Sequence, residues 1–152
     1  KKLNQIGQNV KFIAFSQMMF MYKLNLQNLS ESNWIGSRMC LKKYFPIPQK
    51  LRNMKFKKYP FWRIDKPKTQ IIKGGWHFSF LQSPTDILKK VKSFSHGEFN
   101  TDEIADEKNI KFRISNNEDI FDRGIRLKKI EINSDYPEYI VNNINKLSEW
   151  II

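Results

Sequence analysis

The chain has 152 residues, 40% hydrophobic and 14% aromatic, with 27 Lys and Arg against 15 Asp and Glu. That length supports one domain with a sizeable core, and that composition excludes wholesale disorder. No apolar run is long enough to cross a bilayer, and the single cysteine, Cys40, excludes an intrachain disulfide and reads as a buried, inert thiol.

The chain opens KKLNQIGQ, which reads as the tail of a helix closed by Gly7, so the sequence is expected to begin inside a larger protein. Residues 10–15, VKFIAF, alternate and predict a strand. Residues 18–26, MMFMYKLNL, fit a strand or a buried helix equally. A polar loop is predicted over 26–33. WIGSRMCL (34–41) follows, with Gly36 at a special backbone position. Pro48 starts a short helix over 48–56, and 59–69 is a loop punctuated by proline. TQIIK (69–73) is a short strand leading into GGWHFSFL.

Beyond that point the signals sharpen. Ser83, Pro84 and Asp86 make a helix start resembling a capping box, and Ile87, Leu88, Val91 and Phe94 share one face of a helix over 83–94. A second helix is predicted over 100–114, capped by Asn100 or Thr101. LKKIEI (127–132) is a strand, and 134–152 a helix started by Pro137. Mixed strands and helices give an α/β class.

Charge is lopsided. Residues 1–73 carry 16 basic and 2 acidic side chains, hence +14; residues 74–152 carry 11 and 13, hence −2. A basic half faces phosphates, nucleic acid or an acidic surface, unless it is simply solvated lysine. Aromatics interleave with lysines in KKYFPIPQKLRNMKFKKYPFWR (42–63), the composition of a base-stacking and phosphate-binding surface. No known nucleic-acid module has this spacing, and Cys/His zinc clusters are absent.

Two segments contain histidine. In GGWHFSF, glycines let backbone approach a ligand and His77 can bind a divalent cation; the plainer reading is a core histidine bonded to backbone. In SFSHGEF (93–99), Glu98 can act as a general base, whereas the plainer reading is a helix end with Gly97 as cap and His96 on the dipole. Arg113, Asp122 and Arg123 either pair with one another or hold phosphate.

Taken in order, WIGSRM, PQKLR, GGWHFSF, SPTDILKK, SFSHGEFN, DIFDR and PEYIVNNINK resemble glycosyltransferase family 17, which includes the enzyme that adds the bisecting N-acetylglucosamine to N-glycans. The likeness covers nearly the whole chain and is most specific over 74–100. It implies the C-terminal, acceptor-side portion of a GT-A-type nucleotide-sugar fold and one domain over 1–152 that belongs to a larger one. It implies an inverting transferase that moves N-acetylglucosamine from UDP-N-acetylglucosamine to a glycan acceptor with β-1,4 linkage, aided by Mn²⁺. In that reading His77 is a metal ligand and Glu98, or else Asp86, the base. Gly74 and Gly75 form a loop close to a sugar, Trp76 stacks on a sugar face, and Ser79, Arg113 and Arg123 contact donor or acceptor. The family's acidic Asp-x-Asp stretch has no counterpart here: residues 1–73 hold only Glu31 and Asp65. The chain alone is therefore expected to be inactive. The competing readings are a basic nucleic-acid-binding module and a folded, non-catalytic relic.

Overall fold

A computed structural model describes residues 6, 10–31, 33–56, 62, 69–93, 104 and 106–152. The chain divides into two compact units, Lys1–Gln17 with Asn33–Trp76, and Met18–Ser32 with His77–Ile152. Strands β1 (Phe12–Met21) and β4 (Thr69–Ser79) contribute residues to both. Helices and an open sheet with antiparallel pairs give the mixed class that the sequence predicts.

In the first unit, β1 pairs antiparallel with β3 (Trp34–Cys40), with Phe12 opposite Cys40 and Gln17 opposite Trp34. The register slips between Ala14, opposite Arg38, and Ser16, opposite Ile35, so Gly36 and Ser37 of β3 face Phe15 alone. This is a bulge. Gly36 is special for space: a Cβ there would lie 1.8 Å from the Trp34 ring. Cys40 is half-buried and free, not fully buried as expected. Helix α1 (Pro48–Asn53) starts at its proline and stops three residues short of the predicted 56, where Met54 turns extended.

In the second unit, β1 pairs β2 (Leu26–Asn28) at Phe20 and Gln27, and β2 pairs β5 (Leu127–Lys129) antiparallel. Residues 18–26 are thus strand, turn and strand. Met19, Phe20 and Met21 are all buried. A strand covered on both faces loses its alternation, which is why periodicity alone could not decide. The 26–33 segment is not wholly loop, because β1 and β5 flank β2, which ends at the buried Asn28. Its Oδ1 accepts from the backbone of Ser30 (2.9 Å) and Glu31 (3.2 Å). β5 ends at Lys129, short of the expected 132, since its partner β2 has only three residues.

Helix α2 (Pro84–Lys92) begins as predicted: Ser83 Oγ accepts from Asp86 N at 3.2 Å. Helix α3 (Glu107–Ser115) begins later than predicted, because Asp106 caps it by accepting from Asn109 N at 3.0 Å. Asn100 and Thr101 lie outside the described residues. Ile87 and Val91 of α2 and Ile110 and Ile114 of α3 are buried, and the two helices pack together. The predicted C-terminal helix is broken. α4 (Glu138–Asn142) gives way at Asn143 to a 3₁₀ segment, Ile144–Trp150. Tertiary bonds pull the tail out: Leu24 N donates to Trp150 O at 2.8 Å, and Asn25 exchanges two bonds with Ile152, at 2.7 and 3.0 Å.

Candidate functional site

The glycines of GGWHFSF sit inside β4, not in a loop. A Cβ on Gly74 would lie 2.3 Å from Phe15 Cβ and 3.0 Å from Phe15 Cα, so this glycine permits close approach to β1. Gly75 meets nothing within 4 Å but has φ +108°, a conformation that side chains rarely tolerate. One glycine is there for space and the other for conformation. Both needs arise within the sheet. The carbonyl of Trp76 accepts from Gln17 Nε2 at 3.3 Å, while its buried indole N–H has no hydrogen-bond partner among the described residues.

The second unit holds the rest of the strand. Phe78 stacks on Phe20 at 5.3 Å, and Ser79 O accepts from Tyr22 N at 3.0 Å. Alternation puts His77 and Ser79 on the face opposite Phe78. Desolvation, then the nearby charge of Lys90, lowers the His77 pKa, so the imidazole is neutral at pH 7. A neutral ring suits metal ligation. The other ligands are not beside it, since among the described residues no three His, Cys, Asp or Glu gather. The described residues therefore do not fit a divalent-cation centre. His96 and Glu98 lie outside them.

Asp86 is exposed in the first turn of α2, where it bonds to the cap residue Ser83. Its carboxylate accepts from Ser83 Oγ at 2.7 Å and from Lys89 Nζ at 3.0 Å, and those two contacts, in that order, hold its pKa below the usual value. A general base works best nearer the operating pH. The geometry favours the capping role.

Both candidate arginines are occupied. Arg113 Nη1 donates to Asp119 O and to Asp122 Oδ1, each at 3.2 Å. Arg123 grips Asp119 with Nε and Nη2, at 2.8 and 2.9 Å, and its backbone N–H adds a bond at 3.0 Å. The same carboxylate accepts from Tyr22 OH at 3.1 Å, and that hydroxyl accepts from Ile120 N at 3.2 Å. Burial pushes the Asp119 carboxyl up, but these bonds outweigh it and hold the pKa below the ordinary value. Of the two sequence readings of DIFDRG, ion pairing describes both side chains. Tyr22, 97 residues from Asp119, carried no sequence signal for this role.

Sequence reasoning also missed a cleft of about 260 Å³ in this unit. It lies between the Tyr22–Lys23 turn, the Gln82–Pro84 approach to α2, and Glu149–Trp150. The Glu-Trp pair near the chain end was its only sequence sign. No family model, no curated protein and no solved structure matches the chain.

Proposed function

We propose that the chain is the acceptor-side part of an inverting N-acetylglucosaminyltransferase using UDP-N-acetylglucosamine, built on a GT-A-type fold. The observation that supports this is the ordered set of segments from WIGSRM to PEYIVNNINK, densest over 74–100. In this reading an acceptor hydroxyl attacks the anomeric carbon. The new carbon–oxygen bond forms as the bond to the diphosphate breaks, and Glu98 takes the hydroxyl proton. Asp86 is the weaker candidate because capping already explains it. Trp76 and Ser79 are the side chains of β4 assigned to donor or acceptor contact, and His77 is assigned to the metal as a single ligand. Since the described residues do not make a cation centre, the reading places the principal metal ligands outside them. Calorimetric titration of UDP-N-acetylglucosamine with Mn²⁺ tests it, on this chain and on one extended upstream of Lys1. Donor binding to the extended chain supports the reading, and binding to neither removes it.

A second reading is favoured by the first unit alone. Its sequence carries fifteen Lys and Arg against Asp65, hence +14. Phe45 and Trp62 are 56% and 66% exposed, and Lys11 and Lys43 lie 4.7 and 5.0 Å from the Tyr44 ring centre. Such a surface suits single-stranded nucleic acid. Affinity for an oligonucleotide that falls steeply with salt would support it; no binding at low salt would remove it.

A further inference from the structure

We infer that the cleft beside Glu149 and Trp150 binds one neutral sugar ring. The inference rests on the transferase reading only for the identity of that ring as the acceptor.

The walls are fixed before any ligand arrives. Lys23 Nζ donates to Glu149 O at 2.6 Å, and Leu24 N donates to Trp150 O at 2.8 Å. Ser83, also in the lining, is held by its bonds with Asp86. Preformed walls spare a ligand the cost of ordering them. The volume, about 260 Å³, is below the usual range for drug-sized ligands. It suits a single ring and not a nucleotide.

The lining selects the chemistry. It carries one ammonium, Lys23, and one carboxylate, Glu149, so it offers no net charge to a phosphate. The Glu149 carboxylate has no ion pair among the described residues, and the exposed Gln82 amide has no side-chain hydrogen bond there. One group accepts and the other both donates and accepts, the mixture that ring hydroxyls require. Trp150 and Ile114, both lining the cleft, supply apolar surface for the C–H face of a pyranose. A divalent cation needs several oxygen ligands, and the cleft supplies one carboxylate.

The test uses the 152-residue chain and indole N–H resonances in ¹H–¹⁵N spectra, with Trp150 assigned by Trp150→Phe. Methyl mannoside, N-acetylglucosamine and inorganic phosphate are titrated separately. A saturable shift of the Trp150 resonance with a sugar, and none with phosphate, is expected. Glu149→Gln and Gln82→Ala, both surface changes, should each weaken that binding by up to about tenfold, the scale of one lost polar contact. No saturable shift with either sugar, a shift with phosphate alone, or unchanged affinity in both variants would overturn the inference. Sugar binding at Trp150 in a protein that transfers nothing when extended upstream upholds the cleft and removes the transferase reading. Transfer whose acceptor KM is unmoved by both variants upholds the transferase reading and removes only the identity of the bound ring as the acceptor.

Discussion

Replacing Asp119 with alanine should loosen the second unit more than any other single change to a charged residue described above. The side chain is 2% exposed, and it accepts four hydrogen bonds, three of them from Arg123. Breaking a fully buried ion pair costs about 3–5 kcal/mol. Here the Arg123 side chain is 41% exposed and recovers hydration when released, so about 3 kcal/mol is expected. Tyr22→Phe removes one donor and leaves Ile120 N without its acceptor, and should cost about 1 kcal/mol. Urea unfolding followed by tryptophan fluorescence measures both. At a slope of about 2 kcal/mol per molar, Asp119→Ala should lower the midpoint by about 1.5 M. The pH dependence has a definite sign. The folded carboxyl has a depressed pKa, so its contribution is complete above the unfolded pKa of about 3.9 and is lost as pH falls through the folded value. A midpoint shift below about 0.3 M would refute the assignment of Asp119 as the residue that ties the 119–123 turn to Tyr22.

The two glycines of β4 should fail differently. Gly74→Ala collides with Phe15 and should cost about 1–3 kcal/mol by overpacking, with coupling to Phe15→Gly in a double-mutant cycle. Gly75→Ala should cost about 1–3 kcal/mol through backbone strain alone, without that coupling. His77 should titrate below 6.5 by NMR, and Lys90→Met should raise its pKa; no change on removing Lys90 would refute that charge as a cause. Because the folded pKa is the lower one, the His77 contribution to stability is present above about pH 6.5 and is lost as pH falls through the folded value. In a catalytically active, upstream-extended protein, Glu98→Gln should cut turnover by roughly 10²–10⁴ with donor binding retained. Asp86→Asn should leave turnover near wild type, and the opposite pattern would move the base to Asp86.

The parts legible in the sequence were those with local causes. Ser83, Pro84 and Asp86 fixed the start of α2 because a helix cap is made by neighbouring residues. Pro48 did the same for α1. The misread parts depended on distant partners. Asp106 took the α3 cap, and the tail after Asn143 left α-helical for 3₁₀ geometry and bonds with the 23–25 turn. β2 exists because β1 and β5 flank it, which a polar LQNLSESN segment does not announce. At the candidate site, the pairing of Arg113 with Asp122 lies nine residues apart and was readable as one of two options. The Tyr22–Asp119 contact and the cleft at Trp150 join segments more than ninety residues apart, beyond any spacing rule.

Donor binding separates a transferase from the other readings. UDP-N-acetylglucosamine should be titrated with Mn²⁺ into the 152-residue chain and into the chain extended upstream of Lys1. Metal-dependent binding to the extended chain and none to the shorter one is expected, because the described residues gather no cation site. Tight, metal-dependent binding to the shorter chain would contradict the division into donor and acceptor sides. Absence of binding to both would contradict the transferase assignment itself.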